Sequence, residues 1–411
     1  MSPETILIIA AVIAFVMAMS IGANDVANSM ATAVGAKAIT IKQAIIIAGI
    51  LEFGGAYLFG RNVTETIKSG IFNVDLINKL PDGNTLYIAG AFAAISAAAI
   101  WVFIATFFSM PVSTSHSIVG AMAGFAIVAF GWETIKWSKM TFIVLSWFIS
   151  PVLGGIVAFG IFKLISWLIL HRTSPFAAAR KVGPVLVGAT IFTVCFLFFV
   201  SVMKKGTVEP SVYWPISIGV GILAGIVTYF LLKRIKPNED EFFSVEQIFK
   251  RLQVFTSCYV SFAHGANDVA NAIGPLAAIY AIIKLGSIGV KSEIPGELMI
   301  LGGAGIAFGV FLLGYKVMKT IGENITELNN TRGFSIDLGT ATTVLAASSL
   351  GLPVSSTHTV VGAVVGVGYA RGIGAINLGI LKQIVVSWVI TVPIAAVTSA
   401  LLFYAFKALL F

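Results

Sequence analysis

Many runs of roughly twenty or more apolar residues, separated by short polar segments, follow one another along the chain. Each is long enough to cross a hydrocarbon core of about 30 Å as a helix. The pattern predicts an all-α, polytopic membrane protein, because a segment in lipid must satisfy its own backbone. Two shorter runs stand out. As helices, 338–352 would reach only ~22 Å and 359–370 only ~18 Å. Together they read as a re-entrant hairpin whose tip is Pro353-Val354-Ser355-Ser356-Thr357-His358. Proline suits the first turn of a half-helix and Ser or Thr its cap. The same reading applies to Ser109–Gly120, although the preceding run, 86–108, is long enough to span.

An internal repeat organises these runs. Gly-Ala-Asn-Asp-Val-Ala-Asn occurs at 22–28 and at 265–271, an offset of 243 residues. Pro111-Val112-Ser113-Thr114-Ser115-His116 returns as 353–358 at an offset of 242, and Ser146-Trp147 as Ser387-Trp388 at 241. The near-constant offset predicts two homologous halves, 1–165 and 244–411, with 166–243 inserted as a helical hairpin and loop.

Charge changes the picture in two ways. First, only 11% of residues are charged, 58% are hydrophobic and mean hydropathy is +0.97, which excludes an ordinary soluble enzyme. The net charge of +8 lies mostly in short loops, so it points to topology and not to nucleic acid. Arg172, Arg180 and Lys181 fall in one loop, and Lys233, Arg234, Lys236, Lys250 and Arg251 in another. Two spans, 182–203 and 212–232, separate these loops, so both lie on one side, the cytoplasmic one. The second half then starts inside and Met1–Thr5 outside, which makes the repeats inverted; Lys204 and Lys205 on the outer turn oppose this slightly. Cys195 and Cys258 have no metal or disulfide spacing, and Met1–Thr5 lacks the basic stretch of a signal peptide.

Second, the few buried charges are placed with purpose. Asp25 is the sole ionisable residue between Thr5 and Ala36, and Asp268 the sole carboxylate between Leu252 and Ile283, with His264 four residues before it. An aspartate at membrane depth costs about 2.5–3.5 kcal/mol on insertion scales, so it marks function by default. A single Asn-Asp could be a helix cap; duplication argues otherwise. Asn24, Asp25 and Asn28, with Asn267, Asp268 and Asn271, offer hard oxygen ligands to Na⁺, and the adjacent glycines predict an unwound turn in each motif. Ser113, Thr114, Ser115, Ser355, Ser356 and Thr357 offer hydroxyls at half-helix N-termini, which is an anion site. No Lys or Arg lies in 87–132 or 339–370, so cations must balance an anion there. Two aspartates and a phosphate of −1 to −2 call for roughly two or three Na⁺. An aspartate accepts a hydrogen bond from a protonated oxyanion, which favours hydrogen phosphate, or arsenate, over sulfate. His116 and His358 are tip-stabilising donors or ligands. Glu52 handles ions or forms a structural pair, and Asp337 is a cap or a site residue.

At these motifs the chain resembles the inorganic phosphate transporter family of sodium- or proton-coupled symporters, with further similarity over 333–349. The resemblance covers most of both halves. It implies about twelve membrane helices, inverted repeats, outward termini, a multi-pass place in the plasma (inner) membrane, phosphate as substrate and no cofactor beyond the coupling ion. It further implies cation roles for Asn24, Asp25, Asn267 and Asp268, phosphate contacts for the Ser/Thr clusters, and family acidic positions at Glu52 and Asp337. The long cytoplasmic domain of some members is absent. Proton coupling is the main alternative within transport, and a homodimer is compatible with the chain. A phosphate channel needs no coupling ion. An intramembrane aspartyl protease needs a dyad sharing a proton, and its usual Tyr-Asp and Gly-x-Gly-Asp surroundings are missing.

Overall fold

The computed structural model describes the chain except residues 203–208, 287–292, 325–327, 373–377 and 411; Lys204 and Lys205 lie outside the described residues. The first part forms α1 (Pro3–Gly35), α2 (Ile41–Phe59), the short α3 (Arg61–Glu65) and α4 (Val74–Asn78), α5 (Gly83–Phe107), α6 (Thr114–Phe130) and α7 (Trp137–Ile165). A hairpin of α8 (Pro175–Val202) and α9 (Pro210–Lys233) follows. The rest forms α10 (Glu241–Leu285), α11 (Gly296–Asn324), α12 (Asn330–Ser349), α13 (Ser356–Arg371) and α14 (Leu378–Leu410). Among the described residues nine helices are long and apolar enough to cross a membrane: α1, α2, α5, α7 to α11 and α14. With the hairpin arms α6, α12 and α13 the set reaches the expected twelve.

Local chemistry explains the ends. Ser2 caps α1 ahead of Pro3, Thr40 and Gln43 form a capping box on α2, and Asp240 accepts from the first N–H groups of α10. The tips break where the Pro-Val-Ser motifs predict. Ser113 caps α6 by accepting from His116 N–H at 3.2 Å, and Ser355 caps α13 by accepting from His358 N–H at 3.2 Å. Before each break the chain turns through the left-handed region, at Ser109 (φ 55°) and at Gly351 (φ 72°), 242 residues later.

Two expectations are corrected. The heptapeptides are not unwound: α1 and α10 run on through 22–28 and 265–271. The glycines serve close approach instead. A Cβ on Gly22 would overlap the carbonyl oxygen of Ile306 in α11, and one on Gly265 that of Glu52 in α2. Reciprocally, Gly309 in α11 meets the Met19 carbonyl and Gly55 in α2 that of Phe262. Small residues at such crossings let helix backbones touch. The other correction concerns α12, which starts at Asn330 under an Asn329 cap and has 20 residues, so it is longer than the 338–352 run.

α1, α2, α10 and α11 thus form a tightly crossed centre. Around it the half-helices pack across the repeat. Gly120 and Gly124 of α6 lie on Val392 and Ala396 of α14, while Gly362 and Gly366 of α13 lie on Pro151 and Gly155 of α7. α5 joins the first pair, with Trp101 Nε1 donating to Thr391 Oγ1 at 3.2 Å, and α12 joins the second. The groups are therefore α5–α6–α14 and α7–α12–α13. Among the described residues, no helix of one group packs along a helix of the other.

Candidate functional site

The site lies where the two tips meet the middle of α1 and α10. Asp25 and Asp268 are both fully buried. Thr114 Oγ1 donates to Asp25 Oδ2 at 2.9 Å, and Ser356 Oγ to Asp268 Oδ2 at 2.8 Å. Asn28 Nδ2 donates to Asp25 Oδ1 at 3.0 Å and to Thr357 Oγ1 at 2.8 Å. Asn271 Nδ2 lies 3.1 Å from Asp268 Oδ1 and 3.2 Å from Ser115 Oγ. The tips interlock: Ser115 Oγ donates to the Val354 carbonyl (3.0 Å) and Thr357 Oγ1 to the Val112 carbonyl (3.3 Å). Ten of the twelve motif residues named above so far converge on one polar centre or cap its helices, with Ser113 and Ser355 in the capping role.

The remaining two, Asn24 and Asn267, brace the tips from behind. Asn24 Nδ2 donates to Thr106 Oγ1 (2.9 Å) and the Met110 carbonyl (3.2 Å); Asn267 Nδ2 donates to Ser348 Oγ (3.0 Å) and the Leu352 carbonyl (3.2 Å). Asn24 Oδ1 accepts from Val112 N–H, whereas Asn267 Oδ1 and Asn271 Oδ1 are buried without a partner. Those two oxygens remain available to a cation.

His264 was visible in the sequence without being counted among the site residues. Its spacing to Asp268, one helical turn, was the signal that could have placed it. The ring is buried between the aspartates, with Nε2 2.8 Å from Asp268 Oδ2 and 3.7 Å from Asp25 Oδ2, and Nδ1 3.3 Å from Glu52 Oε1. Asp25, His264 and Asp268 are close enough to share one metal ion. Glu52 also accepts from Ser29 Oγ at 3.2 Å and leaves Oε2 unpartnered, so it belongs to the site through His264. The pair breaks the repeat. The position 243 residues before His264 is Ile21, and the residue packed on Gly22 as Glu52 is on Gly265 is Ile306.

Asp337 is no cap: it lies inside α12, whose cap is Asn329. It occupies a separate buried cluster, accepting from Ser257 Oγ (2.5 Å), Thr32 Oγ1 (2.6 Å) and Thr256 Oγ1 (3.5 Å). Gln253 of α10 is buried with both amide atoms unpartnered; it packs on Gly333 of α12. His116 and His358 are not placed as ligands. Their rings stack behind the tips between Trp147 and Trp388. No Lys or Arg pairs with the central carboxylates among the described residues; the buried Lys68 lies 3.5 Å from Glu65 instead.

This arrangement has close relatives. The chain is 51% identical to a protein named as a phosphate permease in Thermococcus kodakarensis, over 97% of each chain. It is 37% identical to chloroplastic inorganic phosphate transporter 2-1 of Arabidopsis thaliana, over 96% of this chain and 71% of that one. A solved structure described as the sodium-dependent phosphate transporter superposes with a TM-score of 0.93 at 49% identity, covering 98% of this chain and 99% of the other. The model of the phosphate transporter family matches residues 21–399, and with duplicated aspartates and interlocked tips inside that span, the chain belongs to the phosphate transporter family.

Proposed function

We propose that this protein moves inorganic phosphate across the membrane by symport with Na⁺, in the manner the solved relative's description names. One observation carries the reading: two half-helix N-termini and four hydroxyls face two buried aspartates, which among the described residues have His264 beside them and no Lys or Arg paired to them. An oxyanion beside carboxylates is stable in a low-dielectric site only with added positive charge. Thr114, Ser115, Ser356 and Thr357 hold phosphate. Asp25, Asp268, Asn28 and Asn271, with Asn267 Oδ1, hold Na⁺. The Asp337 cluster with Gln253 takes a further Na⁺, giving two or three per phosphate. The chain divides at 1–165, 166–243 and 244–411, with both termini outside the inner membrane. Alternating access then moves α5–α6–α14 against α7–α12–α13 about the crossed centre.

The test is phosphate uptake into proteoliposomes with Na⁺ and pH gradients imposed separately, paired with an equilibrium phosphate titration. Uptake follows the Na⁺ gradient, and phosphate affinity falls steeply as Na⁺ is withdrawn at constant ionic strength and pH. By linkage, phosphate raises Na⁺ affinity by the same factor. Phosphate binding indifferent to Na⁺ overturns the reading. A second reading, proton coupling, is favoured by His264 lying between Asp25, Asp268 and Glu52; uptake that follows the pH gradient alone selects it.

Asp337→Asn separates the two cation positions. It raises the Na⁺ concentration for half-maximal uptake and lowers the Na⁺ Hill coefficient, while saturating Na⁺ restores phosphate affinity. An unchanged Na⁺ dependence removes Asp337 from coupling.

A further inference from the structure

Behind the anion-facing hydroxyls, four rings form a row. Trp147 lies on His116 (centroids 3.8 Å, planes at 33°), His116 meets His358 edge-on (4.3 Å, 74°), and His358 stacks on Trp388 (3.5 Å, 24°). Their order is informative. Trp147 belongs to α7–α12–α13, His116 to α5–α6–α14, His358 to the first of these again and Trp388 to the second. The rings alternate between the two groups as interlaced fingers do, so all three ring contacts cross the boundary. Among the described residues no helix of one group packs along a helix of the other, and the tip hydroxyls and this row bridge the two. The histidines stand one residue beyond Ser115 and Thr357, and their N–H groups hold the Ser113 and Ser355 caps.

We propose that His116 and His358 are positioning residues that set the separation of the two tips, and with it the size of oxyanion the cradle accepts. The proposal rests on the reading that the tips bind phosphate. Aromatic stacking carries the effect. His358 Nδ1 lies 3.3 Å from the Trp147 carbonyl, and His358 Nε2 is buried without a partner. A flat ring at either place therefore preserves the separation, and an aliphatic chain of similar bulk releases it. Arsenate, the larger tetrahedral anion, is the probe of tip separation.

The experiment measures equilibrium binding of phosphate and of arsenate to purified full-length protein at saturating Na⁺. The variants are His116→Phe, His116→Leu, His358→Phe, His358→Leu and the double Leu variant. Both Phe variants stay within about threefold of the parent for both anions. Each Leu variant weakens phosphate roughly tenfold, the scale of a lost aromatic contact, and weakens arsenate less, so discrimination narrows. The double Leu variant is weakened by less than the product of the single effects, because both substitutions sever the shared His116–His358 contact. Phe variants as weak as Leu variants, or a Leu effect equal for the two anions, overturn the proposal. If Leu variants fail to fold, the Phe variants still decide it: their discrimination must match the parent's. Absence of phosphate binding by the parent overturns the transport reading and this proposal with it, whereas a parent that binds phosphate with the wrong Phe and Leu pattern overturns this proposal alone.

Discussion

Replacing Asp25 or Asp268 by asparagine is expected to reduce Na⁺-driven phosphate uptake to about one percent of the parent rate or less, which follows from buried-charge energetics. Each carboxylate is fully buried and accepts hydrogen bonds from a tip hydroxyl and an asparagine. Asparagine keeps the shape and much of the hydrogen bonding, so the helices and tips remain. What disappears is the charge that, in the proposed function, attracts the coupling cation. Removing one partner of a buried ionic pair costs roughly 3–5 kcal/mol, and each 1.4 kcal/mol is tenfold in affinity. The loss is thus about a hundredfold or more and appears in Na⁺ affinity first. Uptake in proteoliposomes and Na⁺ titration of purified protein check it together. Near-parental uptake with unchanged cation dependence in either variant removes that aspartate from the coupling site.

The second large effect is structural. Gly55→Ala and Gly265→Ala are expected to eliminate most folded protein, whereas Gly54→Ala is tolerated. A Cβ at Gly55 or Gly265 overlaps a backbone carbonyl of the crossing helix, which no rotamer change can move aside. At Gly54, one residue away, the nearest outside atom is the Phe262 ring edge at 4.0 Å. Overpacking costs typically about 1–3 kcal/mol and more where backbone must shift. In contrast, alanine improves helix propensity over glycine by up to ~1 kcal/mol. The yield of monodisperse protein in mild detergent and its melting temperature separate the three variants. Equal tolerance at all three positions would falsify the assignment of these glycines to backbone contact.

The legible part of this molecule was whatever repeats or stands out by polarity. Asp25 and Asp268 announced themselves as charges in apolar runs, and the Pro-Val-Ser motifs marked the helix breaks correctly. Close approach, in contrast, leaves the same letter as flexibility. Gly22 and Gly265 invited an unwound turn because nothing in a single chain names the partner carbonyl. The start of α12 was missed for a related reason. Thr331 and Asp337 are buried against Glu246, Ser257 and Thr32, and Ser335 bonds back to the Thr331 carbonyl, so the polar first turns of α12 fell outside the apolar run. The pairing of α6 with α14 and of α13 with α7 joins residues far apart in sequence. His116 and His358 could not be assigned a face until that pairing was known.

The His264–Glu52 pair, standing where the other half has Ile21 and Ile306, has a kinetic consequence. A carrier whose halves were identical would present equivalent barriers to loading from either side. Here the mirror is broken within reach of both aspartates, so loading from the two sides is not related by symmetry. The final phosphate gradient is untouched, because it depends only on how many ions accompany each anion. The speed of filling and of emptying need not match, and a vesicle holding this protein in one orientation should behave as a leaky rectifier for phosphate.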